Sequence, residues 1–522
     1  MGLLKSTAIV STMTMMSRVL GLIRDMVFTQ IFGAGAGTDA FLVAFKIPNF
    51  LRRLFAEGAF SPAFIPVVSE YKQQRSHREL LELTNRTAGT LGVILLFVTI
   101  VAVVAAPVVV SIFATGFLLK FPEKFDLTVQ MLRVTFPYIL FISLTALAGS
   151  VLNVYGRFGV PAFTPVFLNI LLILAAVYLA PYMAEPITAL AWGVFAAGIV
   201  QLLFQLPFLA KIGLLGRPRW GWRHEGVRRI VKLMIPGIFG SAVMQINLLL
   251  DTIIASFLIT GSVTWLYLSD RMMELPLGVL GIALATVILP ALSKKHSDDN
   301  PAGFSHTLDW ALRWVVLFGT PAAVALAVLS GPIISTLFQH GEFGPNDVYM
   351  AQLSLIAYSL GILGFIAVKV LAPGYFARQD TRSPVRIGII AMVVNMVCNF
   401  AFVVPMVMLG FDGPHAGLAL ATTVSSFVNA GLLLRGLWKS GIYRPYKGWR
   451  KLFIQAILAN GVMFVMLWMT TGQLETWLVS SSITRIGWLS GVVMLGAGVY
   501  FLMLWLLGIR LHQLSRPADT IR

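Results

Sequence analysis

Apolar side chains run along this chain in unbroken stretches of about twenty residues, the length a helix needs to cross a bilayer. The stretch LGVILLFVTIVAVVAAPVVV at 91–110 is typical. Transmembrane β-strands would instead alternate lipid-facing and lumen-facing residues over about ten positions, so a β-barrel is excluded. The runs predict fourteen helices, near 8–32, 38–68, 87–113, 129–154, 161–181, 187–209, 228–258, 263–291, 308–330, 349–375, 384–408, 414–437, 451–471 and 484–509. The second is long and contains Pro48, Pro62 and Pro66, which predicts a kink or break within it.

Composition agrees. Of 522 residues, 57% are hydrophobic and 12% are charged, with a mean hydropathy of +0.84; soluble domains carry about 25% charged residues. The chain is an all-α polytopic membrane protein. Basic residues fix its orientation. Of the 39 Lys and Arg, 28 fall near the N-terminus, in the loops after even-numbered spans or at the span edges beside them, or in the C-terminal tail. Only Lys120, Lys124 and Arg485 fall in the loops after odd-numbered spans or at their edges. By the positive-inside rule both termini are cytoplasmic. The net charge of +17 is therefore loop charge rather than a nucleic-acid footprint. The first 25 residues read as the first span and not as a cleavable signal, because Arg18 and Arg24 interrupt the apolar run. Cys398 is the single cysteine, so no disulfide framework or thiolate metal site forms within one chain. The histidines show no ligand spacing.

The chain repeats itself. Gly37 opens GTDAFLVAFKIP and lies 29 residues before Pro66, and Gly261 opens GSVTWLYLSDRMMELP and lies 29 residues before Pro290. The offset is 224, and NVYGRFGVP and ARQDTRSP end at Pro161 and Pro384 with nearly the same spacing. Residues 1–220 and 225–440 thus form two halves of six spans, and 449–522 adds two more helices. An even number of spans per half makes the repeat parallel, with its pseudo-twofold along the membrane normal. Two pseudo-symmetric six-helix bundles around a central cavity are the architecture of an alternating-access transporter. No filter-like segment supports a channel.

Charges break the apolar runs, and eight lie in the first sixty residues: Arg18, Arg24, Asp25, Asp39, Lys46, Arg52, Arg53 and Glu57. A charge at bilayer depth costs roughly 2.5–3.5 kcal/mol on insertion scales, so such groups face a bundle interior or a wet cavity. Asp39, Lys46 and Arg53 recur every seven residues and share a helical stripe that Asn49 joins. Arg53 and Glu57 form an i,i+4 pair, and Asp39 can meet a cation of another helix. That ladder leaves Arg18, Arg24, Lys46 and Arg52 in excess. Guanidinium groups match phosphate oxygens bidentately and stay charged at physiological pH, so the set suits a pyrophosphate; snorkelling of Arg52 and Arg53 to the interface is the other reading. In span 8, Asp270 and Glu274 share a face and Arg271 lies about 100° away. The repeat sets these opposite span 2, as ligand contacts, as a gate or as simple pairing.

Asp251 in span 7, Asn395 and Asn399 in span 11, and Thr422 in span 12 offer oxygen atoms that suit Na⁺ or a proton; interhelical hydrogen-bond glue explains them equally. GAGAG at 33–37 lacks the GxxxxGK[ST] pattern and reads as turn glycines. HEG at 224–226 is no zinc-protease motif, and nothing reads as ATP hydrolysis.

SRVLGLIRD at 17–25, GAGAGTDAFLVAFKIPNFLRRLFAEGAFSPAFIPVVSEY at 33–71, GSVTWLYLSDRMMELPLGVLGIALATVILPALSK at 261–294 and KVLAPGYFARQDTRSPVRI at 369–387 closely resemble the MurJ (MviN) family. These are bacterial lipid II flippases of the MOP exporter superfamily. The resemblance implies movement of an undecaprenyl-pyrophosphate-linked disaccharide-pentapeptide from the cytoplasmic to the periplasmic leaflet of the inner membrane, without catalysis. It places cavity arginines at Arg18, Arg24, Arg52 and Arg271, and cavity or gating positions at Asp39, Asn49, Asp270 and Glu274; the span 2 stripe adds Lys46 to the substrate-binding set and Arg53 and Glu57 to the gating or orienting one. It gives the two added helices the role of a groove for the lipid tail. It leaves the coupling source as Na⁺ at Asp251, Asn395, Asn399 and Thr422, a proton, or the membrane potential. The partners it implies are lipid II, membrane lipids and other cell-wall synthesis proteins. The alternatives are an exporter of another polyprenyl-linked oligosaccharide or of a drug, and a scaffold of the cell-wall machinery.

Overall fold

Ser76 and Asn300 show how this sequence starts its helices. Ser76 Oγ accepts from the Glu79 N–H at 3.3 Å while the Glu79 carboxylate accepts from the Ser76 N–H at 3.0 Å, a reciprocal cap. Asn300 Oδ1 accepts from the Gly303 N–H at 2.7 Å, and Pro301 takes the first helical position. The caps lie 224 residues apart, and the helices they open are 28 residues each.

The computed structural model describes the backbone of residues 3–510, and side chains from residue 9 onward except at 239–244, 248 and 282. The side chains of Lys5, Arg516 and Arg522, which enter the charge split above, lie outside the described residues, as does the end of the 449–522 segment. The described chain is helical, without strands, and forms two compact units, Met1–Thr264 and Trp265–Arg522. The first holds α1 (Leu3–Phe32), α2 (Ala36–Leu51), a π-helical segment (Arg52–Phe60), α3 (Ser61–Gln74), α4 (His77–Val104), α5 (Ala106–Phe113), α6 (Thr115–Lys120) and α7 (Pro122–Thr135). It continues with α8 (Tyr138–Val154), α9 (Gly159–Phe163), α10 (Pro165–Leu174), α11 (Thr188–Lys211), α12 (Glu225–Ser256) and the first turn of α13 (Ser262–Pro276). The second holds the rest of α13, a π-helical segment (Leu277–Gly281), α14 (Ile282–Ser297), α15 (Pro301–Val328), α16 (Ser330–Phe338), α17 (Pro345–Leu360) and α18 (Ile362–Phe376). It ends with α19 (Arg382–Met408), α20 (His415–Lys439), α21 (Trp449–Thr471), α22 (Leu474–Val479) and α23 (Ser482–Leu506).

The elements repeat at the offset of the motifs. Helix α1 ends at Phe32 and α12 at Ser256, α8 begins at Tyr138 and α18 at Ile362, and the π-helical segments begin at Arg52 and Leu277. Among the described residues, ten helical spans can cross a bilayer by length and composition, and α17 with α18, bent by 41° at their junction, make an eleventh. The predicted spans below that threshold are α1, the rod from α2 to α3, and α12. They are helical, but the first two carry the eight charges. The rod does not stop at its prolines. Pro62 has no N–H for residue 58, and its ring would strike that carbonyl; the preceding turns widen, and Ser61 N–H bonds to Ala56 O, five residues back.

Helix α4 shows how these rods divide lipid from protein. Leu80 and Leu83 are buried, while Val93, Phe97, Ile100 and Val104 stand exposed. In water such a face would be a liability; in a bilayer it meets acyl chains. The first unit's core joins Phe64, Val67, Val68, Leu80, Leu83, Val151, Leu152, Val227 and Ile230, so α12 packs into this unit although its sequence opens the second repeat. In the second unit, Leu317 and Leu329 of α15 and its end pack against Ala459, Met463, Val492 and Tyr500 of the added pair.

One carboxylate holds the added pair at its entrance. Asp309 is buried, and Oδ1 accepts from Tyr443 Oη at 2.9 Å, Trp449 Nε1 at 2.7 Å and the Tyr446 N–H at 3.2 Å. Oδ2 accepts from Arg313 Nε at 2.7 Å. Burial, with the neighbouring Asp309 charge, pushes the Tyr443 phenol above its ordinary range. Replacing Asp309 with Ala strands these donors, so Asp309→Ala should destabilise the protein by about 3–5 kcal/mol. Asp309→Asn, which keeps an acceptor, should cost less. Thermal unfolding in detergent checks the order, and equal melting of both variants would contradict it.

Candidate functional site

Helix α1 places Arg24 inside the first unit, 8% exposed. Its Nε and Nη2 donate to Asp25 Oδ1 at 3.0 and 2.5 Å, and its Nη1 donates to Asn169 Oδ1 at 3.1 Å. Asn169, on α10, donates back to Ser17 O at 2.9 Å. One amide therefore aims the guanidinium and ties α10 to α1. Arg18 lies on the same helix and is exposed. Asn169 was missed in the sequence; its signal is a lone amide in the apolar run PVFLNILLIL.

The π-helical segment changes the span 2 stripe. An α-helix brings residue i+4 near residue i, which predicts Arg53 with Glu57. A π-helix brings i+5, and Glu57 pairs with Arg52. Arg52 also donates through Nε to Asn49 Oδ1 at 2.9 Å. The Arg53–Glu57 pairing is thus corrected: Asn49, Arg52 and Glu57 form the cluster, with Arg53 exposed beside it. Lys46 is half-buried one turn earlier. The Arg52 side chain is 22% exposed and that of Glu57 58%, so this ion pair stays within reach of an incoming anion.

In the second unit, α13 carries Asp270, Arg271 and Glu274. Arg271 Nη1 donates to Glu274 Oε2 at 3.4 Å, and its guanidinium stands 5.8 Å from the centre of the Tyr267 ring. Again the pair is partly open, with Arg271 34% and Glu274 48% exposed. Asp270, half-buried, occupies the repeat position of Lys46, so the two halves carry opposite charge there.

Asp39 sits at the start of α2 and is 1% exposed. Its Oδ2 accepts from Lys124 Nζ at 3.1 Å and the Gly261 N–H at 2.8 Å. Its Oδ1 accepts from the Thr264 N–H at 3.0 Å and Thr264 Oγ1 at 2.7 Å. The carboxylate thus caps the N-terminal turn of α13 from another helix. Lys124, read from sequence as loop charge, is its buried partner. The other two cations outside the topological rule are also engaged: Lys120 donates to Phe257 O at 3.2 Å, and Arg485 donates to Ser335 O and Ser480 O at 2.9 Å each.

The polar residues of spans 11 and 12 meet within the second unit. Asn399 Nδ2 donates to Asn395 Oδ1 at 3.0 Å, Asn395 Nδ2 to Thr422 Oγ1 at 3.2 Å, and Thr422 Oγ1 to Leu418 O at 3.0 Å. That chain stitches α19 to α20, as interhelical glue does. Asn395 Oδ1 and Thr422 Oγ1 accept within it; Asp251 lies on α12 in the first unit. Among the described residues no group of three His, Cys, Asp or Glu converges as a metal site. GAGAG is a turn, in which Gly33, with φ +62°, ends α1.

Residues 28–487 match the family model described as "Lipid II flippase MurJ". A probable lipid II flippase MurJ of Vibrio cholerae is 49% identical, covering 99% of this chain and 98% of its own length. A lipid II flippase MurJ of Burkholderia cenocepacia is 41% identical, covering 99% of this chain and 100% of its own length. A solved lipid II flippase MurJ in an inward closed conformation superposes with a TM-score of 0.80 at 26% identity, over 97% of this chain and 99% of that one. An inward-facing MATE multidrug transporter of the MOP superfamily gives 0.65 at 14% identity, over 83% of this chain and 98% of that one, a likeness of fold alone.

The π-helical register has a direct test. Arg52→Gln and Glu57→Gln should be non-additive, with a coupling of about 0.5 kcal/mol as for other exposed pairs. Arg53→Gln and Glu57→Gln should simply add. Thermal unfolding of the three single and two double variants reads both, and coupling through Arg53 instead would mean an α-helical turn.

Proposed function

This chain belongs to the MurJ family of lipid II flippases, and on that premise we propose how its own residues meet the substrate. It is a multi-pass membrane transporter and not an enzyme, and its cargo is lipid II. We assign Arg18, Arg24, Arg52 and Arg271 as the cations that meet the pyrophosphate, with Lys46 and Asn49 in support. Asp39, Arg53, Glu57, Asp270 and Glu274 are the gating and orienting groups. The observation that carries this is the openness of the ion pairs Arg52–Glu57 and Arg271–Glu274. A partly exposed glutamate contributes little to stability, and a pyrophosphate offers each guanidinium more and stronger acceptors. Substrate binding exchanges one anion for another and leaves the carboxylates to water. Arg24 differs, since Asp25 and Asn169 hold it in place before any ligand arrives. Such preorganisation lowers the ordering cost of binding.

Alternating access follows as the working cycle. The head group binds from the cytoplasmic side, its charge relieves repulsion among the arginines, and the path reopens toward the periplasm. Both termini face the cytoplasm and all fourteen helical rods cross the inner membrane, α1, the α2–α3 rod and α12 included. The prenyl tail rides on α21, whose Ile454, Ile457, Val465 and Trp468 are exposed, and on α23, whose Ile486, Met494 and Trp505 are exposed. Other cell-wall synthesis proteins that supply or consume lipid II are its natural partners.

Arg24→Ala and Arg271→Ala should each abolish growth of a flippase-depleted strain while the protein stays in the membrane at normal level. Full growth of either variant would remove that arginine from the binding set. A leaflet-resolved lipid II assay, run with and without Na⁺, a proton gradient and a membrane potential, separates the three energy sources.

A further inference from the structure

Lys124 is the one buried lysine among the described residues, and it stands where a lysine is electrostatically misplaced. It lies in the first turn of α7, beside the positive end of the helix dipole, which favours anions. Phe117 and Phe121 flank its ammonium at 5.0 and 4.6 Å. Among the described residues its one ion pair is with Asp39, at 3.1 Å.

The four hydrogen bonds to Asp39 fall into two classes. Three come from Gly261 and Thr264, at the entry of α13. The fourth comes from α7, which packs along α2 and is tied to it again where Thr135 Oγ1 donates to Ala44 O at 3.2 Å. A cycle that frees α13 from α2 breaks the first class and leaves the second intact. Without a remaining cation, the released carboxylate would sit desolvated among apolar side chains.

We propose that Lys124 is a positioning residue that keeps Asp39 neutralised after the 261–264 stretch lets go, so that the latch on α13 can open and reclose. This rests on the alternating-access reading above. The consequence runs against the usual effect of deleting a salt bridge. With Lys124 absent, the α13 donors alone satisfy Asp39, and the carboxylate holds them more persistently. Removing the lysine closes the latch instead of loosening it.

Ser262 reports the latch. It is buried, and its hydroxyl has no hydrogen-bond partner among the described residues, so Ser262→Cys loses none of the bonds described. In full-length protein carrying Cys398→Ser, a membrane-impermeant maleimide added outside spheroplasts should label position 262 when the latch opens. Lys124→Met should lower that labelling by about tenfold and depress flipping with it. Lys124→Arg should keep both near the parent. Asp39→Asn combined with Lys124→Met, which removes both charges, should label at least as strongly as the parent. Unchanged or raised labelling in a correctly folded Lys124→Met protein would overturn the proposal, because the lysine would then only tighten the closed state. A parent that never labels at 262, with or without lipid II, would overturn the alternating-access reading together with it.

Discussion

A charge inside a bilayer has no water to fall back on, and the architecture of this chain is arranged around that constraint. The buried ionic side chains among the described residues are Arg24, Asp25, Asp39, Lys124, Asp309 and Arg485. Each is met by a partner that the helices hold in position. Arg24 has Asp25 and Asn169. Asp39 has Lys124 and the first turn of α13. Asp309 gathers Arg313, Tyr443 and Trp449, and Arg485 draws on backbone carbonyls. Such pairs add little net stability over apolar packing, yet losing one partner is expensive. They specify which helices meet, and at which depth, more than they strengthen the fold.

The remaining span charges are of another kind. Arg52 with Glu57 and Arg271 with Glu274 are partly exposed, and their pairing is weak enough to be exchanged. The division between committed and exchangeable ions does not by itself separate scaffold from site, because Arg24 and Asp39 are committed and belong to the proposed site. The π-helical segment makes part of that division. By widening the turns after Leu51 it brings Glu57 over Arg52 instead of Arg53, and Asn49 steadies the same guanidinium. A second π-helical segment at Leu277–Gly281 recurs at nearly the same offset, so the device belongs to the repeat and not to one accident of sequence.

Much of this was legible from hydropathy and spacing. The helical rods and the 224-residue offset follow from periodicities that act locally. What escaped was pairing. Arg53–Glu57 failed because i,i+4 reasoning assumes 3.6 residues per turn, and proline chemistry changed the turn. Lys124 was placed with the loop charges because Asp39 lies 85 residues away, a separation no local rule spans. Asn169 lies 145 residues from Arg24, yet it was findable: the cost of an unsatisfied polar group in hydrocarbon applies to amides as it does to ions. Asp309 and its loop partners were invisible for the same reason as Lys124.

The exceptions to the positive-inside rule carry the last step. That rule is a statement about free cations in loops, which sort by the cost of crossing the membrane. A cation off that pattern is informative because something there must hold it. Lys120 is held by a carbonyl and the Phe257 ring, and Arg485 by carbonyls at the ends of α16 and α22. Both are satisfied by dipoles, which bind a cation but leave no anion needing it in return. Lys124 alone of the three answers a carboxylate, and that carboxylate also holds the start of α13. Of the three departures from the topological pattern, it is therefore the one whose loss would be felt by a moving part and not only by the local packing.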